Sequence, residues 1–139
     1  MREYKFRGIS VEELVGDNQW LTGFGVDFCE MVDGSTEAYL YTTHGVYKVD
    51  PETVGQYTGL KDRNGVEIGE GDVLYHPIQG RRKVYYPFSD DFAAYGIENI
   101  DNGMRNTLDA PFLYEIIGNI YDHKHLLNLP GEVDHDPVD

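Results

Sequence analysis

The sequence predicts a mainly β chain: a small barrel or roll in the C-terminal half, packed with an N-terminal antiparallel β unit and few short helices. Three observations carry this. Apolar residues recur mostly with a period of two, as on half-buried strands. Glycine- and aspartate-rich turns divide the short apolar runs at regular spacing. No long helical segment exists to make the crossovers of a parallel sheet.

Taken in order, Tyr4 and Phe6 alternate with Lys5 and Arg7, which suits a first strand. Ser10 with Glu13 fits a capping box, and Gly16 could end the short helix it opens. Trp20 to Cys29 reads as one or two strands. Ala38 to Thr43 and Val46 to Val49 form a hairpin turning at His44-Gly45, because glycine accepts positive φ without cost. Asp50-Pro51 then starts a turn or one helical turn. In the second half, Val73–His76, Lys83–Tyr86, Ala93–Ile97 and Tyr114–Tyr121 are strand candidates. Asp122 could cap a last turn, and the acidic stretch from Pro130 to Asp139 is expected to be disordered. The expected boundaries are 1–59 for the N-terminal β unit, 60–129 for the barrel and 130–139 for the tail.

Composition narrows the function classes. A single cysteine, Cys29, excludes an internal disulfide, and its apolar neighbourhood suits a small buried residue. No apolar run approaches the roughly 18 to 20 residues that cross a bilayer, and Met1 to Arg7 lacks the apolar run of a signal peptide. The expected location is therefore the cytoplasm. Net charge is −14. Gly8 to Tyr47 holds seven acids and no lysine or arginine. Such a surface repels phosphate backbones and opposes direct nucleic-acid binding. The one basic cluster, Arg81-Arg82-Lys83, reads as a solvated turn.

Val54 to His76, "VGQYTGLKDRNGVEIGEGDVLYH", is the densest glycine segment. A calcium loop starting at Asp62 fails, because Glu67 stands where the loop needs glycine and Val73 where it needs glutamate. No Walker string occurs, and Gly69-Glu70-Gly71 lacks both the third glycine and the helix of a dinucleotide fingerprint. Turn chemistry succeeds instead. Asn64-Gly65 predicts a type I′ hairpin, Val66 and Ile68 a brief strand, and Gly69 to Asp72 a bend in which Asp72 accepts backbone N–H groups.

These residues also carry a resemblance. Lys5-Phe6-Arg7, the run Gln56-Tyr57-Thr58-Gly59-Leu60-Lys61-Asp62 through Asn64-Gly65, Glu70-Gly71-Asp72, and Ile117-Gly118-Asn119-Ile120-Tyr121 together resemble the YopX-like family of phage and prophage proteins. The likeness spans nearly the whole chain except the tail. Gly69 departs from it, standing where relatives have a bulky residue. The resemblance implies an SH3-like β-barrel in the C-terminal half and residence in a bacterial host, and brings no established activity or catalytic residues. The residues it singles out as a structural or interaction motif are Tyr57, Gly59, Asp62, Asn64, Gly65, Glu70, Gly71, Asp72, Gly118, Asn119 and Tyr121.

No catalytic set assembles from the sequence, and no cofactor or metal is expected. Cys29 has no identifiable base. His123 and His125 are spaced i, i+2, which diverges on a helix, whereas zinc sites favour i, i+4. Tyrosines on short strands must partly reach the surface of a small barrel, and tyrosine is enriched at interfaces. The expected function is a non-enzymatic accessory protein that binds a protein partner, including a second copy of itself as a homo-oligomer. The alternative is an acidic nucleic-acid mimic that blocks a host nucleic-acid-binding protein.

Overall fold

The computed structural model describes residues 4–122. The expected tail over 130–139 and the pair His123 and His125 lie outside them. The described elements are twelve short strands and two 3₁₀ turns. The strands are β1 (Phe6–Ile9), β2 (Trp20–Gly23), β3 (Gly25–Glu30), β4 (Thr36–Thr42), β5 (Gly45–Val49), β6 (Gly55–Lys61), β7 (Glu67–Gly69), β8 (Asp72–His76), β9 (Gly80–Tyr85), β10 (Gly96–Asn99), β11 (Arg105–Thr107) and β12 (Glu115–Asn119). The 3₁₀ turns cover Pro51–Thr53 and Pro111–Leu113. The chain divides between Gly59 and Leu60 into two compact units.

In the first unit, β3, β4 and β5 make a three-stranded antiparallel sheet, while β1 pairs with β2 on one side and with the start of β6 on the other. Alternation along β4 sends Ala38 and Leu40 inward, where they bury with Val49 and collect Phe6, Leu21, Val26 and Val54 around them. The hairpin between β4 and β5 turns at Thr43-His44, with Gly45 already the first residue of β5. Asp50 caps the first 3₁₀ turn through the Glu52 N–H (3.1 Å), and Thr53 Oγ1 accepts from the Ile9 N–H (2.9 Å). No helix forms after Ser10. Its hydroxyl donates to the Glu12 carbonyl (2.6 Å), so the capping-box pattern becomes a local bend. Cys29 is exposed on β3 rather than buried.

The second unit is an open antiparallel sheet ordered β11-β10-β9-β8-β12. Leu74, Val84 and Ile97 line one face and bury with Ile68, Leu108 and Tyr114. Truncating such a side chain to alanine costs on the order of 2–5 kcal/mol. The expected SH3-like closure is not seen: among the described residues no ladder joins β11 to β12. Pro111, which cannot donate to a ladder, follows β11 by a few residues, and the chain turns through Pro111–Leu113 before β12 begins. β11 itself spans only Arg105–Thr107, too short to carry a closing edge.

Candidate functional site

The family-like residues fold into two structural joints. At the first, the Gly65 N–H donates to the Asp62 carbonyl (3.0 Å) and the Asp62 N–H to the Val66 carbonyl (2.8 Å). Only Gly65 of this loop takes positive φ, at 81°. The turn is therefore type I followed by a glycine bulge, and the predicted type I′ turn, which needs positive φ at Asn64 as well, is corrected. The Asp62 side chain explains the choice. Its Oδ1 accepts from the Asn64 and Val66 N–H groups (2.9 Å each), and its Oδ2 accepts from the Ile116 N–H on β12 (3.0 Å). Burial alone would raise its pKa, but these three backbone donors, helped by Arg63, hold the carboxyl below its ordinary value.

At the second joint, Gly71, Asp72, Gly118, Asn119 and Tyr121 come together. Asn119 pairs with Asp72 and Gly118 with Val73, after a bulge at Ile117. The Gly71 N–H donates to Val84 (2.9 Å) and its carbonyl accepts from Ile120 (2.9 Å). A Cβ on Gly71 would lie 2.8 Å from the Tyr121 ring, at a backbone φ of 88°. Buried Asp72 accepts from the Gly69 N–H (2.8 Å), and Asn119 Oδ1 accepts from the Tyr121 and Asp122 N–H groups. Glu70 is half-buried beside this joint. The motif carboxylates at 62 and 72 are thus spent on backbone donors. Tyr57 and Gly59 belong to the first unit, where the Tyr57 ring lies under Lys5 (5.1 Å) and Arg7 (5.4 Å), and Arg7 also lies over Trp20 (5.0 Å). Among the described residues no group of three or more His, Cys, Asp or Glu is placed to hold a metal ion.

The chemically distinctive site is one the sequence reading passed over. Arg81, Arg82 and Lys83 lie on β9 and not in a solvated turn. Alternation sends Arg81 and Lys83 to the outer face, where they pair with Asp101 (3.0 Å) and Glu98 (3.1 Å). Lys83, together with Arg105, keeps the Glu98 carboxyl below its ordinary value against the opposing effect of burial. Arg82 points the other way. It shares the inner face with Val84, stands opposite Leu74 in the ladder, and is only 4% exposed. The signal was available: if Val84 is core, the residue two before it faces the core too.

Among the described residues the buried guanidinium meets only neutral oxygens. Arg82 Nη1 donates to Asn106 Oδ1 (2.7 Å) and Nη2 to Gln79 Oε1 (2.8 Å), while buried Nε has no acceptor among the described residues. It opens on a cavity of about 270 Å³ that His76, Asp109, Leu113 and Tyr114 also line. The cavity lies at the end of the inner sheet face, walled by the segment that follows β11. His76 Nδ1 accepts from the Ile78 and Gln79 N–H groups (3.1 Å each), which leaves Nε2 to carry the proton of the neutral ring. Asp109 accepts from Thr107 Oγ1 (2.8 Å) and makes no ion pair with Arg82. A guanidinium lining such a pocket can bind and orient an anion.

No helix among the described residues is long and apolar enough to cross a membrane. No curated protein matches the chain. The crystal structure of protein EF1440 from Enterococcus faecalis is similar, at 24% identity and a TM-score of 0.48, covering 90% of this chain and 98% of that one. The family model described as YopX protein matches residues 16–128, which take in the joints at Asp62 and Gly71 and the strand that buries Arg82. The chain belongs to the YopX family.

Proposed function

We infer that this is a non-enzymatic phage or prophage accessory protein that works in the host cytoplasm by binding another protein, a second copy of itself included. The observation that carries the reading is the exposed apolar set next in sequence to the arginine pocket's lining. Ile78 is 86% exposed and Phe112 64%, and they adjoin the lining residues Gln79 and Leu113. Large apolar side chains exposed beside a polar pocket are the usual composition of a recognition surface.

Light scattering on the purified chain and affinity capture from lysogenic cells test this, with Ile78→Asp and Phe112→Asp as paired controls. The expected result is an oligomer or a captured protein that both variants lose while remaining folded. A monomer that captures nothing, or capture that both variants retain, would remove the reading.

A second reading rests on charge. Glu12, Glu13, Asp17, Asp27, Glu30 and Asp33 are all exposed within a stretch free of lysine and arginine. Such a surface could occupy the basic groove of a nucleic-acid-binding protein. Docking of that kind weakens steeply with salt. A partner whose affinity is indifferent to ionic strength would exclude it.

A further inference from the structure

We propose that the cavity in front of Arg82 is a carboxylate-binding site. Its ligand is a singly charged carboxylate, either a free small acid or the carboxylate of a polypeptide. A buried guanidinium without a counter-ion is costly, because its charge has lost water and gained only dipoles. Arg82 is in that state: its two hydrogen bonds go to side-chain amides, and no carboxylate among the described residues reaches it. Nε is sealed from solvent, so the remaining hydrogens on the terminal nitrogens are the donors left for a ligand in the cavity that Arg82 lines.

The pocket also selects among anions. Gln79 and Asn106 hold the guanidinium plane, so its orientation is set before a ligand arrives. Planar oxygen pairs match such a fork, and the resulting bonds are roughly twice as strong as neutral ones. His76 Nε2 adds a donor from the same lining, with no acceptor for it among the described residues. Asp109 on the lining opposes a second negative charge, as does a chain of net charge −14. A monoanion therefore fits better than doubly charged phosphate. The volume of about 270 Å³ admits one side chain or a small acid, not an extended polymer. Leu113 and Tyr114 supply the apolar wall for its carbon part.

Amide NMR titration of the full chain with sodium acetate tests the site, with sodium chloride and sodium phosphate at matched ionic strength as controls. Acetate should give saturable shifts centred on Gln79, Arg82, Asn106 and Leu113, and phosphate should bind at least threefold more weakly. Arg82→Met keeps the length and removes the charge. It should abolish saturation. Leu113→Trp fills the cavity without touching the charge and should weaken acetate at least tenfold, which guards the test should Arg82→Met misfold. The source is read with a short peptide carrying a free C-terminal carboxylate against its carboxamide. A tenfold preference for the acid, and tighter binding than acetate, assigns a polypeptide ligand; peptide binding no tighter than acetate assigns a free small acid. Shifts that follow ionic strength whatever the anion, or that survive in both variants, would overturn the site. Acetate binding stands or falls apart from the protein-binding reading, on which only the polypeptide arm rests.

Discussion

Gly65 and Gly71 have nearly the same backbone, φ 81° and 88°, in different surroundings. Around Gly65 a new Cβ meets nothing within 4 Å, whereas at Gly71 it meets the Tyr121 ring at 2.8 Å. Gly65→Ala should therefore cost only the left-handed backbone penalty, about 1–2 kcal/mol. Gly71→Ala should cost clearly more, about 2–4 kcal/mol with the ring displaced. Urea unfolding of both variants checks the order, and equal losses would refute it. Asp62 gives a second test at the same scale. Its folded pKa lies below the unfolded value near 3.9, because three N–H donors outweigh the effect of burial. Its contribution is then complete above about pH 4 and drains as pH falls towards the folded pKa, since the unfolded chain takes up the proton first. Asp62→Asn should lower the urea midpoint at neutral pH. The gap to the wild type should narrow as pH falls below about 4. A gap that stays constant as pH falls would mean that the charge is idle.

The outer face of the sheet β3-β4-β5 is held by side-chain bonds between neighbouring strands and along β4. The Tyr41 hydroxyl donates to Asp27 across the β3–β4 pair, the Tyr39 hydroxyl donates to Glu37 along β4 (2.6 Å), and Lys48 on β5 reaches Glu37 (3.0 Å). Ionising either phenol would set an anion against a carboxylate, so both pKa values are raised by their acid partners. Glu37 is lowered by the Tyr39 bond first and Lys48 second. In an NMR titration of isotope-labelled tyrosine, Tyr39 and Tyr41 should ionise above the ordinary value near 10. Asp27→Asn should return Tyr41 towards it and leave Tyr39 in place; no movement of Tyr41 would show the bond to be absent in solution. Much at this level was legible in the sequence. Alternation located β4, β5, β8 and β9, and Asp50-Pro51 located the first 3₁₀ turn. What misled was local chemistry with two outcomes. Asn64-Gly65 suits a type I′ turn, but the extra hold of Asp62 on Asn64 and Val66 favours a three-residue loop. Three successive cations at Arg81-Arg82-Lys83 look like a solvated turn, and only the register against Leu74 shows that the middle one is inward.

For the molecule as a whole, the pattern of short strands and turns was enough to give a mainly β chain, but not to say whether the second sheet closes. Closure depends on pairing between β11 and β12, and no periodicity within either strand reports on its distant edge. Charge is the property at this scale that sequence does fix: 25 acids against 11 bases, a net of −14. Two salt effects compete. Screening weakens the described ion pairs, such as Lys83–Glu98, Arg81–Asp101 and Lys48–Glu37, and exposed pairs contribute little to stability. It also weakens the mutual repulsion of the surplus acids, which the folded state concentrates more than the unfolded chain does. The surplus exceeds the pairs, so repulsion should win. Raising sodium chloride from about 10 mM to about 150 mM shortens the screening length from about 30 Å to about 8 Å. The melting temperature should then rise by about 3–6 °C, the equivalent of about 1 kcal/mol for a chain of this size. Lys48→Ala and Lys83→Ala, each of which removes a pair and adds to the surplus, should steepen the rise. A melting temperature that falls with salt would mean that the pairs, and not the surplus, dominate the electrostatics of the fold.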